Sequence, residues 1–330
     1  MIDLDPRHER IAIPLAAALS GVSDVFERQL SSEYPAVSEL CTHVARYRGK
    51  MLRPTLTLLS GLAAGRGDLE VLERTDLQQL SAVVEMIHMA TLVHDDVLDE
   101  ADDRRGGATV NRLRGNETAV MLGDYLISNA FHLAASIGDV ELTRLLGVVT
   151  NTLCEGELVQ LHHRDDLGLD FETYQEIIRR KTAVLVGACG RFGARTVGGS
   201  DAVCDALGEF GERIGIAFQV IDDILDLEGE VEVVGKSVGR DLAKGKLTLP
   251  MILLLDNADA ETFAQAVDVF RSRDAEGLLQ LLRSGDPIDR ARGFASDQID
   301  LALRAIAGLD LGGTEDLLGD LARAVVSRQR

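Results

Sequence analysis

Two short stretches of this sequence carry acids where acids are costly. Asp95, Asp96 and Asp99 follow a largely apolar run, and 127 residues later Asp222, Asp223 and Asp226 repeat the same Asp-Asp-x-x-Asp spacing. In a helix the first and last acids of each trio share one face, separated by about 6 Å of rise. Two carboxylates about 5 Å apart repel by on the order of 3 kcal/mol at an effective dielectric near 20, before desolvation is counted. A solvated face is the plain alternative, but Val220, Ile221, Ile224, Leu225 and Leu227 surround the second trio with apolar side chains. Hard oxygen donors of this kind suit Mg²⁺, which binds through one or two carboxylates and is completed by substrate phosphates.

A phosphorylated substrate also needs cations. Short basic runs occur at Lys50 and Arg53 within Gly49 to Pro54, at Arg104-Arg105, at Arg179-Arg180-Lys181 before Thr182, and at Lys236, Arg240, Lys244 and Lys246 before Pro250. Each alone fits a helix end or a solvated surface. Together, beside two carboxylate trios, they point to a polyanionic ligand. The charge is local, because 54 Asp and Glu against 34 Lys and Arg give the chain a formal charge of -20. That balance argues against binding to nucleic acid or to an anionic membrane surface.

The elements that must hold these residues read as helices. No proline lies between Pro54 and Pro250, and Leu, Ala, Glu and Arg recur there at helical spacing. Inward stripes are expected at Leu80, Val83, Val84, Ile87, Thr91 and Val97 or Leu98, at Tyr125, Ile127, Phe131, Ala134 and Ala135, and at Ile177, Ile178, Leu185 and Ala188. Breaks at Gly65 to Asp68, Gly106-Gly107, Gly138-Asp139, Asp165 to Asp170, Gly198 to Asp201 and Gly229 to Gly245 divide the 330 residues into about ten helices. With 46% hydrophobic residues, no linker and no fixed-period repeat, the chain reads as a large single-domain all-α bundle spanning 1-330. The longest run free of Asp, Glu, Lys and Arg, Tyr125 to Gly138, is too short to span a bilayer. The N-terminus lacks a secretory signal, so a cytoplasmic protein is expected. Cys41, Cys154, Cys189 and Cys204 form no CxxC pair and are expected to be buried, reduced thiols.

From about Lys50 to Pro250 the sequence resembles the trans-isoprenyl diphosphate synthases, or polyprenyl synthetases. The resemblance rests on both aspartate-rich motifs with their flanks, on Gly-Lys-x-x-Arg-Pro, on Lys181-Thr182 and on the Gly-Lys…Gly-Lys-x-Thr-x-Pro tail, in the family's order. One departure is Arg48, where the family usually has a second glycine. The resemblance implies an all-α bundle around a central cavity, a homodimer, and condensation of an allylic diphosphate with isopentenyl diphosphate assisted by a three-ion Mg²⁺ cluster. By position it implies Asp95, Asp99 and Asp222 as metal ligands, with Asp96, Asp223 and Asp226 supporting them. Arg104, Lys181, Thr182, Gln219, Lys236 and Lys246 would surround the allylic diphosphate, and Lys50, Arg53, His88 and Arg105 the isopentenyl diphosphate. His94 reads as a packed helix residue, and His162-His163 as a polar helix end.

In the family, bulk just upstream of the first trio limits product length. Here those positions hold the small residues Ala90 and Thr91, so a medium- to long-chain product is expected. Phe131 is the expected tunnel floor, with Met121, Leu122 and Ile127 as alternatives and ordinary core as the plain reading. The competing functions are a geranylgeranyl diphosphate synthase, a class I terpene cyclase, a head-to-head condensing enzyme and a non-catalytic subunit of a heteromeric synthase. The repeated Asp motif and the absence of Trp disfavour the cyclase, the basic tail disfavours the head-to-head enzyme, and the intact trios disfavour the inactive subunit.

Overall fold

In the computed structural model, which describes residues 6–47, 49–228 and 239–327, nearly every described element is a helix. Helices α1 (Glu9–Gln29), α2 (Pro35–Ala45), α3 (Leu52–Ala64) and α4 (Thr75–Leu98) lead into a small hairpin of β1 (Asp103–Arg104) and β2 (Gly107–Ala108). There follow α5 (Val110–Arg114), α6 (Asn116–Ile137), α7 (Val140–His162) and α8 (Phe171–Ile178). A π turn at Arg179–Ala183 joins α8 to α9 (Val184–Thr196), and α10 (Asp201–Glu228) comes next. The rest comprises α11 (Arg240–Ala243), α12 (Leu249–Asn257), α13 (Ala260–Ser272), α14 (Ala275–Arg283), α15 (Pro287–Ile306) and α16 (Glu315–Val326).

The helices outnumber the expected ten or so because the C-terminal part restarts often. Pro250 and Pro287 open α12 and α15, while the side chains of Asp259 and Asp274 cap α13 and α14 by accepting from Thr262 and Gly277 N–H groups. The expected break at Gly138 is a left-handed C-cap, and Asp139 then accepts from Leu142 N–H at 2.9 Å to start α7.

The chain condenses into two units. The first comprises Met1–Thr150, Ala188–Gly208 and Gly308–Asp320. Its centre is α4, which packs against α1, α3 and α6 and is buried almost all round between Leu77 and Ala90. A single stripe therefore understates α4, and Leu98 at its end is exposed. On α6 the expected stripe is out of phase. The buried positions are Ala119, Leu122, Gly123, Leu126, Ala130, Leu133 and Ala134, whereas Tyr125, Ile127 and Phe131 are half-buried and Ala135 is exposed. Small residues mark this seam because they let the α4 and α6 backbones approach closely; a Cβ on Gly123 would collide with the His94 ring of α4.

The second unit comprises Asn151–Gly187, Glu209–Ala307 and Leu321–Arg330. Ile177, Ile178 and Leu185 are buried as expected, and so is Ala188 of the first unit. Gly211 permits a backbone approach that no other residue would: an added Cβ would lie 2.5 Å from the Val186 carbonyl. Three cysteines are buried free thiols, but Cys154 is exposed, contrary to expectation. No described helix is long and apolar enough to cross a membrane.

Candidate active site

In the first unit, the acids gather at the C-terminal end of α4. Asp95 and Asp96 occupy its last turn and Asp99 is the C-cap, with its N–H donating to the Asp95 carbonyl at 2.8 Å. Carboxylates there oppose the negative end of the helix dipole as well as one another, an arrangement that suits a bound cation. Asp95 and Asp99 are half-buried, but Asp96 points inward with its side chain 2% exposed. The Arg104 Nε donates to Asp96 Oδ1 at 2.7 Å, while Asp96 Oδ2 is buried with no hydrogen-bond partner. Burial pushes the Asp96 carboxyl up to about 6, and Arg104 opposes that rise.

Arg104 reaches Asp96 because the hairpin folds it back. Arg105 and Gly106 both take left-handed conformations in a two-residue turn, the geometry that matches the twist of a tight antiparallel pair. Asn111, which no motif singled out, donates from its side-chain amide to the Asp96 and Ala101 carbonyls and so fixes the segment after α4. Arg105 donates to the Tyr47 carbonyl and lies against Gly49, where a Cβ would come within 2.7 Å of its guanidinium.

Lys50 is exposed, and Met51 after it holds a left-handed conformation that leaves the N-terminus of α3 without a side-chain cap. Arg53 stands in that first turn. Burial lowers its guanidinium below the usual range, with Glu85 opposing, and its Nε is buried with no partner. Burial, then the charges of Arg53, Arg105 and Arg104, hold the His88 imidazole well below its ordinary value. His88 is therefore neutral near neutral pH, so the positive charge of this cluster comes from the arginines. Four sequence-predicted anion binders thus meet in one place. The His94 ring packs against α6, its Nε2 3.2 Å from the Val120 carbonyl and 3.5 Å from Asp124 Oδ1.

In the second unit, the trio on α10 divides by direction in the same way. Asp222 is exposed, whereas Asp223 is 5% exposed with both oxygens engaged: Tyr174 OH donates to Oδ2 at 2.6 Å and Gln219 Nε2 to Oδ1 at 2.8 Å. Thr182 OH in turn donates to Gln219 Oε1 at 2.8 Å. Burial and then the Asp241 charge push the Asp223 carboxyl well above its usual range, against the two donors. Asp226 Oδ2 accepts from the Asp241 N–H at 3.0 Å, and Arg240 Nε lies 3.4 Å from Oδ1. The supporting acids Asp96, Asp223 and Asp226 are thus engaged by protein donors. Tyr174 and Asp241 were not anticipated, because only the fold brings them to α10.

Lys181 and Thr182 lie in the π turn, a widened helical turn typical of functional sites. Gly156 of α7 makes room for it, since a Cβ there would sit 2.6 Å from the Lys181 nitrogen. Lys181 Nζ lies 2.5 Å from Glu157 Oε2 and donates to Gln160 at 2.8 Å. Beside it, Glu176 pairs with both Arg179 and Arg180, and Glu155 with Arg180, while neither arginine lines the pocket. A pocket open to solvent is lined by Lys181, Thr182, Gln219, Asp223, Asp241 and Lys246, among others. Lys246 lies 3.8 Å from Asp241. Lys236 and Arg48 fall outside the described residues.

The two arginines hold the Glu176 carboxyl down to about 2. A carboxylate with a depressed folded value stabilises the fold fully above its unfolded value near 4.5, and that contribution disappears as pH falls toward 2. With the Glu176 side chain 44% exposed, solvent screening limits the effect to under about 1 kcal/mol. Thermal melts of Glu176→Gln are expected to lie slightly below wild type at pH 7 and to converge with it by pH 2.

No group of three or more His, Cys, Asp or Glu side chains among the described residues is set to hold a metal by itself. The half-buried Asp95 and Asp99 and the exposed Asp222 present hard oxygen donors of the kind that suit a divalent cation.

Helical architecture, twin carboxylate trios and separate clusters of cations define an enzyme of prenyl diphosphate chemistry. The model of the polyprenyl synthetase family matches residues 34–281, and the chain belongs to that family. It is 32% identical to octaprenyl diphosphate synthase of Escherichia coli (strain K12), over 98% of this chain and 99% of that one. Among solved structures, a decaprenyl diphosphate synthase from Rhodobacter capsulatus superimposes with a TM-score of 0.87 at 34% identity, covering 98% and 99% of the two chains. A polyprenyl synthase from Caulobacter crescentus CB15 complexed with calcium and isoprenyl diphosphate gives a TM-score of 0.87 at 32% identity, covering 98% of each.

Proposed function

We propose that this protein elongates an allylic diphosphate with isopentenyl diphosphate to give a medium- or long-chain all-trans polyprenyl diphosphate. What carries the reading is the cavity that gathers Lys181, Thr182, Gln219 and Lys246 beside the second aspartate trio, in a chain alike over its whole length to octaprenyl and decaprenyl diphosphate synthases. Asp95, Asp99 and Asp222 would hold Mg²⁺ as a three-ion cluster; bound there, the ions neutralise the diphosphate and make it a better leaving group. Lys181 and Lys246 place fixed positive charge where the departing anion develops. Gln219, bridged between Thr182 and Asp223, is held in one orientation by bonds at both ends of its amide. Arg53, Arg105 and neutral His88 would orient isopentenyl diphosphate. As the allylic C–O bond breaks, the isopentenyl double bond forms the new C–C bond and a proton is lost from the adjacent carbon.

The whole chain acts in this reading as one catalytic domain, as a cytoplasmic homodimer. The small Thr91, half-buried on α4, supports an open path for chain growth, whereas Ala90 is wholly buried in the core; Phe131→Ala is expected to lengthen the product. The decisive assay is mass spectrometry of products formed by the purified protein with Mg²⁺, isopentenyl diphosphate and a C10 or C15 primer. Products longer than geranylgeranyl diphosphate are expected. A well-folded sample that turns over no primer would overturn the reading in favour of an inactive subunit.

A further inference from the structure

Among the side chains that line the cavity of the second unit is an imidazole to which the proposed reaction gives no role. His163, just beyond the end of α7, lines it together with Lys181, Gln219 and Lys246. Its ring is fixed: Nδ1 lies 2.7 Å from Asp166 Oδ2, and Asp166 is itself held by the Gly168 N–H, which donates to Oδ1 at 2.9 Å. The His162 ring meets it edge-on at 5.1 Å. With Nδ1–H committed to a carboxylate, the remaining function of this imidazole is at Nε2, a donor when the ring is charged and an acceptor when it is neutral.

We propose that His163, positioned by Asp166, is an additional diphosphate-contacting residue of this cavity, whose Nε2–H binds a phosphate oxygen of the allylic substrate. The inference rests on the prenyl synthase reading and deepens it. The titratable groups around it are Asp166 and Asp170 on its own loop, Asp223 of α10 and Asp241 of α11 in the cavity, and the cations Lys181 and Lys246. The Tyr174 hydroxyl also lines the cavity but is committed to Asp223. A bound diphosphate adds negative charge and reinforces the protonated form. A charged imidazole donates a stronger hydrogen bond to phosphate than a neutral one, so this contact is expected to add more to primer affinity at pH 6 than at pH 8.5.

The test compares wild type, His163→Gln and Asp166→Asn as full-length proteins with Mg²⁺, using inorganic pyrophosphate as the calorimetric probe at pH 6 and pH 8.5. Loss of one charge-assisted hydrogen bond is expected to weaken binding about tenfold in His163→Gln at pH 6, with the gap to wild type closing toward unity at pH 8.5. Steady-state KM for the allylic primer is expected to follow the same course, with kcat within about twofold of wild type. Asp166→Asn frees the ring and is expected to lie between the two, and it carries the comparison if His163→Gln does not fold. Parallel pH courses for all three proteins overturn the assignment. Absence of turnover by wild type would count against the synthase reading alone, because the pyrophosphate comparison does not depend on turnover.

Discussion

Asp222→Ala is expected to lower turnover by at least about a thousandfold while leaving the melting temperature within a degree or two of wild type. The same change one residue later, Asp223→Ala, is expected to lower the melting temperature by about 5 °C or more. The contrast follows from direction along α10. Asp222 is exposed and stands among the residues proposed to hold Mg²⁺. Asp223 is buried and accepts from Tyr174 and Gln219 together, so removing it strands the buried Tyr174 hydroxyl and frees the half-buried Gln219 amide that Thr182 also holds. A buried donor left without its partner costs about 1–3 kcal/mol, to which the loosened amide adds, and in a chain of this size each kcal/mol is worth roughly 2 °C. Circular dichroism melts and single-turnover rates separate the two effects. Equal loss of stability in both variants would contradict this division of labour.

Product length is where a second substitution should act most visibly. Thr91→Phe is expected to shorten the product by one or more isoprene units, whereas Ala90→Phe is expected to damage the fold. Ala90 has no exposed surface on α4, so a phenyl ring there must displace core neighbours at a cost of about 1–3 kcal/mol or more. Thr91 is half-buried with its hydroxyl donating to the His88 carbonyl at 2.8 Å, and it retains surface from which a larger side chain can reach into open space. Reversed-phase chromatography of the products checks the first outcome and thermal melts the second. Of the two small residues upstream of Asp95, burial thus singles out Thr91 as the site for tuning length.

The sequence disclosed the helices and the acids more readily than their surroundings. Helical spacing and the Gly and Asp breaks were legible because they are local. On α6 the large apolar residues Tyr125, Ile127 and Phe131 mark one stripe in the sequence, whereas the buried face carries Ala119, Gly123 and Ala130, whose small size gives little hydrophobic signal. The Asp-Asp-x-x-Asp spacing showed a shared face for the outer acids, and the structure adds that the inner acid of each trio points into the protein. Arg179 and Arg180 looked like anion binders, yet Glu176 and Glu155 occupy them, and those pairings depend on side-chain packing rather than on spacing. Tyr174, Asn111, Glu157 and Asp241 carried no motif signal; each matters through a partner that only folding supplies.

The widened turn at Arg179–Ala183 also constrains how this chain can change over time. A π turn holds one residue more than the α-helix on either side of it, so deleting one residue between Arg179 and Ala183 is expected to close it to regular helix while Leu185 and Val186 stay in the core. Such a deletion would shift Lys181 and Thr182 around the helix without disturbing the packing beyond them, which makes the extra residue a device for placing these two side chains rather than a demand of the fold.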